Sequence, residues 1–128
     1  MADKITATVV FNGTKRLALL IDIVSDGSNT AYTITASTYS AGSFAINKIT
    51  YSCAGMGFIL DEENSGTDPR VLSINGTGGI ISGKFCFEEY GGLKNSDASG
   101  NTGNLIITPL LGTSADTCTI FIELIKAS

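Results

Sequence analysis

The sequence predicts an all-β fold: a single-domain antiparallel β-sandwich or jelly roll of about eight or nine strands spanning residues 1–128. Three observations support this prediction. Apolar residues recur at every second position in several segments, which is the period of a half-buried strand. Asn-Gly and other Gly- and Ser-rich turn signals separate those segments. No segment has the sustained i, i+3, i+4 apolar spacing of a helix.

The first two strands are predicted at residues 5–11 and 17–23, joined in a hairpin by the turn signal Asn12-Gly13. The alternation shifts by one residue at Asn47-Lys48, which indicates a bulge within one strand. The segment 91–103, rich in Gly, Ser and Asn, is predicted to be a long surface loop. The remaining strands are predicted at 32–36, 44–53, 56–60, 70–74, 80–88, 105–108 and 117–125.

The charge content is low and acidic. The chain has 8 Lys and Arg against 12 Asp and Glu, a net charge of −4, and only 16% charged residues, where soluble domains average about 25%. Without a basic field, nucleic acid is not expected as a partner. No apolar run approaches the ~20 residues of a membrane span, so no membrane partner is expected. The charge deficit predicts a surface partly covered by other protein subunits.

The chain has no histidine and no tryptophan. The absence of histidine excludes Ser-His-Asp and Cys-His catalysis and most zinc sites. Glu88-Glu89 with Asp22 or Asp116 could form a glycosidase pair, but carboxylates are common on any acidic surface. We therefore predict a non-enzymatic protein with no catalytic residue, cofactor or metal.

The acidic cluster Asp61-Glu62-Glu63-Asn64, with Asp68 nearby, could supply oxygen ligands to calcium. It lacks the alternate-residue spacing and the glycine of an EF-hand loop. A solvated turn that blunts a strand end is the preferred interpretation, and cation binding stays open as the alternative.

Three cysteines, Cys53, Cys86 and Cys118, lie far apart in apolar or alternating segments. An odd number cannot be completely paired within one chain. All three are predicted to be small buried apolar residues.

Several segments resemble small structural proteins of tailed, podovirus-like bacteriophages. The similar segments are residues 4–14 (KITATVVFNGT), 23–27, 90–95, 99–108 and 116–120. The resemblance implies a capsid decoration or cement protein that binds the major capsid protein and stabilises the shell. It also implies a homo-oligomer on the capsid surface of the virion, synthesised in the host cytoplasm.

Two alternatives stay open: a tail- or fibre-associated structural module, and a carbohydrate-binding β-sandwich module that uses its Gly-, Asn- and Thr-rich rim loops. Partner contacts are predicted in the loop from residue 90 to residue 104, because it is long, weakly charged and rich in backbone donors. The candidate contact residues are Tyr90, Gly91, Gly92, Leu93, Asn95, Asn101 and Asn104.

Overall fold

A computed structural model describes residues 4–76, 79–90, 92–93, 100–110, 113 and 115–127, with the backbone alone at residue 90. It confirms the all-β prediction. Two short 3-10 helices, Ala36–Tyr39 and Glu88–Tyr90, accompany nine strands. Among the described residues, no helix has the length and apolar character needed to cross a membrane. The strands are β1 (Lys4–Asn12), β2 (Arg16–Val24), β3 (Tyr32–Ile34), β4 (Ser43–Ala54), β5 (Gly57–Asn64), β6 (Arg70–Ile74), β7 (Ile80–Cys86), β8 (Asn101–Leu110) and β9 (Thr117–Ala127).

The strands form two antiparallel sheets. The five-stranded sheet has the order β1-β2-β9-β4-β7, and the four-stranded sheet has the order β3-β8-β5-β6. Strand β2 pairs with β9, β3 with β8, β4 with β7 and β5 with β6. This nested pairing is that of a jelly roll, in which one long hairpin is folded over on itself. Strand β1 adds a fifth strand to one edge.

The core lies between the two sheets and follows from the period-two pattern. On β9, for example, Cys118, Ile120 and Ile122 are buried, whereas Thr119, which lies between Cys118 and Ile120, is exposed. Burying one such side chain contributes about 1.5–3 kcal/mol. The largest fully buried side chains are Phe44, Phe58, Leu17, Leu19, Ile21, Ile23, Ile34, Ile46, Ile49, Met56, Leu60 and Ile107.

Several predicted boundaries are confirmed and others are corrected. The predicted bulge is present, since the β4–β9 register shifts between Ile46 and Lys48. The acidic cluster is not a solvated turn, because its four residues form the end of β5 and Glu62 is buried. Strand β8 begins at Asn101, inside the predicted loop. Strand β3 ends at Ile34, before a 3-10 helix.

The cysteines divide into a buried pair and an exposed residue. Cys53 and Cys118 are register partners on β4 and β9 and form a disulfide in the core. Their predicted burial is confirmed. The predicted burial of Cys86 is wrong, because its side chain is exposed at the end of the edge strand β7. Its neighbour Phe85 packs against the core, so the period of two turns Cys86 outward.

Candidate functional site

The outer face of the five-stranded sheet is rich in hydroxyl groups. The strand registers align two rows of outward side chains across all five strands, and most of these side chains are exposed. The first row is Thr6, Asp22, Thr119, Ser52 and Ser82. The second row is Thr8, Leu20, Phe121, Thr50 and Lys84.

Three depressions adjoin one another on this face. The first has a volume of about 310 Å³ and lies over β1, β2 and β9. The second, of about 440 Å³, lies over β9, β4 and β7, and the third, of about 200 Å³, lies beside Phe11 and Arg16. Thr119 lines both the first and the second, and Phe121 lines both the second and the third. The depressions therefore form one continuous surface, which we call the outer track.

Strand β9 places the outer track at the centre of the sheet. Its inward residues, among them Ile120 and Ile122, are held in the core by burial. Because the side-chain period is two, this fixes Thr119 and Phe121 on the outer face. Phe121 is half-buried, so its ring offers an apolar surface between polar neighbours. The track thus combines the aromatic ring of Phe121 at its centre with hydroxyl donors and acceptors on both sides.

The first row carries an acidic group and the second a basic one. The Thr119 hydroxyl donates to Asp22 Oδ1 at 3.1 Å, which orients the Asp22 carboxylate over the first depression. Lys84 lines the second depression and has no ion pair among the residues that the structure describes. The hydroxyls of Thr50 and Ser82 likewise have no side-chain partner within the described ranges. These groups are available to a polar ligand.

A second set of ionisable groups lies at the border of the five-stranded sheet. Lys48 Nζ contacts Glu88 Oε1 at 3.4 Å, and Asn47 Nδ2 donates to the same oxygen at 3.3 Å. The hydrogen bond from Asn47, and then those with Lys48, lower the pKa of Glu88 below its ordinary value. The hydrogen bond to Glu88 raises the pKa of Lys48. Both groups are therefore charged at neutral pH.

Three of the carboxylates considered for a glycosidase pair have different partners in the structure. Glu88 lies with Lys48 at the end of β7, whereas Asp22 lies on the outer face of β2 with Thr119. The third carboxylate, Asp116, accepts hydrogen bonds from the backbone N–H and the hydroxyl of Thr113. Glu88, Asp22 and Asp116 therefore each have a separate polar partner.

The acidic cluster on β5 is a structural network. Glu63 Oε1 accepts hydrogen bonds from the Thr102 hydroxyl at 2.8 Å and from Asn104 Nδ2 at 3.0 Å. Asn101 Nδ2 donates to the buried Glu62 at 3.3 Å. We call these residues, with Asn64, the β5–β8 network. Polar groups buried in this way must find partners, and here the partners are side chains of the neighbouring strand.

The carboxylates near this network are also engaged. Asp61 accepts from Arg70 Nε at 3.0 Å, and Asp68 Oδ1 accepts from the backbone N–H of Asn64 at 2.8 Å. Over the part of the chain that the structure describes, no group of three or more acidic, histidine or cysteine side chains is placed to hold a metal ion.

The structure places the described contact candidates against the protein itself. Asn104 Oδ1 accepts the backbone N–H of Ala36 at 2.8 Å, and Asn101 belongs to the β5–β8 network. Leu93 forms an isolated bridge to Ile46, and Gly92 precedes it with a φ of 102°. The side chain of Tyr90, together with Gly91 and Asn95, lies outside the described residues. Partner contact by this loop stays a prediction.

The outer track was not predicted from the sequence. A signal was present, because outward positions of β1 and β4 carry Thr6, Thr8, Thr50 and Ser52 where exposed strand positions often carry charges. That signal is visible in the strand pattern of each segment. The order of the strands in the sheet is not visible in that pattern, and the two rows exist only because of that order.

No protein-family model matches the chain, and no curated protein matches it. Solved structures of family 29 carbohydrate-binding modules are similar to it in arrangement. A family 29 mutant shares 14% identity and covers 98% of this chain and 94% of its own, with a TM-score of 0.48. A CBM29-2 mutant complexed with mannohexaose shares 11% identity and covers 98% of this chain and 80% of its own, with a TM-score of 0.49. Another complexed with cellulohexaose shares 13%, with coverages of 98% and 80% and a TM-score of 0.47.

These comparisons correct the predicted capsid decoration role. The similar structures are described as carbohydrate-binding modules and not as virion proteins, so they contradict the predicted role in capsid decoration. At 11–14% identity no residue role passes from those proteins to this chain.

Proposed function

We propose that this chain is a non-catalytic carbohydrate-binding domain and that its ligand lies in the outer track. The observation that carries the proposal is the adjacency of the three depressions, which share Thr119 and Phe121. The proposed site lies on the face of a sheet, not on the rim loops that the sequence analysis considered.

The chemistry of the track suits a sugar. Pyranose rings present apolar C–H faces and a periphery of hydroxyl groups. An aromatic ring such as Phe121 packs against the C–H face, while Thr, Ser, Asp and Lys side chains exchange hydrogen bonds with the hydroxyls. The half-buried ring of Phe121 and the exposed hydroxyls of Thr50, Ser52 and Thr119 combine both surfaces.

The shape of the track favours an extended ligand. The first and second depressions together cross all five strands, and four strand spacings of about 4.8 Å give a length of about 19 Å. Asp22 in one depression and Lys84 in the other supply charge-assisted hydrogen bonds at two separate points. An oligosaccharide would contact both, whereas a monosaccharide would contact one.

The test is titration calorimetry of the full chain with cellulohexaose and mannohexaose, followed by a glycan array. We expect binding to at least one glycan and a weakening of about tenfold or more in Phe121→Ala, because the variant removes the apolar platform. The matched control is Phe87→Ala, since Phe87 is a half-buried aromatic residue that stacks on Phe85 and does not line any of the three depressions.

The two variants separate the location of the site from its existence. Equal weakening in Phe121→Ala and Phe87→Ala would place the effect in stability and contradict a site on the outer track. Unfolding measurements on both variants accompany the titrations for that reason. Absence of binding to every glycan tested would overturn the proposed function itself.

A further inference from the structure

The outer edge of β1 differs from the other three sheet edges. Strand β1 has nine residues, and its only charged side chain is Lys4 at the first position. By contrast β3 has three residues, β6 has five and begins with Arg70, and β7 carries Gly83 and Lys84 in its middle. Short length, charged side chains, proline and β-bulges keep an edge strand from pairing with another chain, and the bulge of β1 lies beyond residue 9. Strand β1 lacks them over residues 5–9.

The apolar side chains in the second half of β1 are also unusually exposed. Val9, Val10 and Phe11 have exposed fractions of 48%, 56% and 57%. Within the described part of the chain, β2 is the only strand that pairs with β1, so the backbone groups on the other side of β1 have no strand partner. An edge with exposed apolar side chains and unpaired backbone donors is suited to strand addition.

The sequence of β1 is self-complementary for antiparallel pairing. The segment Ile5-Thr6-Ala7-Thr8-Val9 is symmetric in chemistry about its central alanine. In an antiparallel pair centred there, Ile5 faces Val9 of the second copy and Thr6 faces Thr8. β-Branched residues directly opposite each other are favourable cross-strand pairs. The bulge of β1 lies between Val9 and Phe11, just beyond this segment, so residues 5–9 form a regular strand.

We propose that β1 pairs with β1 of a second copy of this chain, with a two-fold axis through Ala7. The two five-stranded sheets then form one continuous sheet of ten strands. Thr6 and Thr8 line the first depression, so the outer tracks of the two copies meet at the axis. That continuation of the track rests on the proposed function, whereas the dimer does not.

The experiment compares two double variants by sedimentation velocity over a range of concentrations. Thr6→Glu with Thr8→Glu places glutamates opposite each other twice in the dimer, and we expect dissociation to be favoured by about tenfold or more. Thr6→Lys with Thr8→Glu introduces the same number of charges but places lysine opposite glutamate. We expect this variant to remain a dimer like the unmodified chain.

A cross-link tests the register. In a Cys86→Ser background, Ala7→Cys lies opposite itself, where the Cα separation of about 4.5–5.5 Å suits a disulfide. Mild oxidation should give a covalent dimer. Lys4→Cys in the same background is the control. In the proposed register, position 4 of one copy and position 4 of the other are six residues apart along the paired strands, a distance of about 20 Å. This variant should stay monomeric on a denaturing gel.

A monomer at every concentration would overturn the proposal, as would a dimer that survives Thr6→Glu with Thr8→Glu. Loss of the dimer in both double variants, or equal cross-linking at positions 7 and 4, would overturn the proposed register and with it the proposal. Glycan titration of the unmodified chain and of Phe121→Ala tests the proposed function separately, because these two proteins carry no substitution on β1.

Discussion

On the four-stranded sheet, Glu62 and Glu63 of β5 accept hydrogen bonds from side chains of β8, whereas on the outer face of the five-stranded sheet Thr50, Ser52 and Ser82 have no side-chain partner among the described residues. Polar groups of the first kind contribute to stability, because their partners replace water. Those of the second kind are hydrated in the free protein and can exchange that water for a ligand. The difference separates residues that hold the fold from residues that can bind.

The largest expected effect comes from breaking the network of the four-stranded sheet. Asn104 joins three elements, because its side chain donates to Glu63 and accepts from the backbone N–H of the buried residue Ala36. Asn104→Ala leaves that N–H without its acceptor. We expect a loss of about 1–3 kcal/mol in the free energy of unfolding, measured with urea at neutral pH.

The control for this prediction lies on the other sheet. Thr50→Ala removes an exposed hydroxyl from the outer track, and we expect it to change the free energy of unfolding by no more than about 0.5 kcal/mol. If the two variants lost the same amount of stability, the polar groups of the two sheets would not differ in the way described.

The next largest effect is on glycan binding, and it comes from the five-stranded sheet. Ser52 and Ser82 are cross-strand neighbours in the second depression. Replacing both with alanine should weaken binding of the best glycan by about two- to tenfold per lost hydrogen bond while leaving stability nearly unchanged. Ser73→Ala, which removes an exposed serine from β6 of the four-stranded sheet, should leave the affinity unchanged. A similar loss in Ser73→Ala would argue against the outer track.

The fold was largely predictable from the sequence because burial acts with a fixed period. Alternation such as Cys118, Ile120 and Ile122 on β9 identifies a strand and its inward face without knowledge of its neighbours. The bulge at Asn47-Lys48 was predictable for the same reason, since a shift in phase needs an extra residue.

The acidic strand end and the candidate site could not be predicted in this way. Glu62 is buried because Asn101, 39 residues away, supplies a donor, and no local pattern reports that partner. The outer track depends equally on strand order. Thr6 on β1 and Ser82 on β7 belong to the same row because β2, β9 and β4 lie side by side between these two strands. The disulfide of Cys53 and Cys118 has the same origin, as it joins residues 65 positions apart. Non-local pairing fixed all three features.

The smallest effect concerns the ion pairs, of which the described residues contain one for each sheet: Lys48 with Glu88, and Arg70 with Asp61. The pKa of Glu88 is lowered in the folded protein, first by Asn47 and then by Lys48. A lowered carboxyl pKa contributes stability above the ordinary value of 4.5, and that contribution is lost as the pH falls through the lower folded value.

The free energy of unfolding, measured in urea at pH 7 and near pH 3, should therefore fall slightly less in Glu88→Gln than in the unmodified chain. The effect is small because Glu88 is exposed and solvent screens the pair. Glu89→Gln is the matched control, since Glu89 is an adjacent exposed carboxylate with no ion pair within the described ranges. An identical change in the two variants would mean that Asn47 and Lys48 hold Glu88 without favouring its charged form, and the border of the five-stranded sheet would then owe its stability to packing alone.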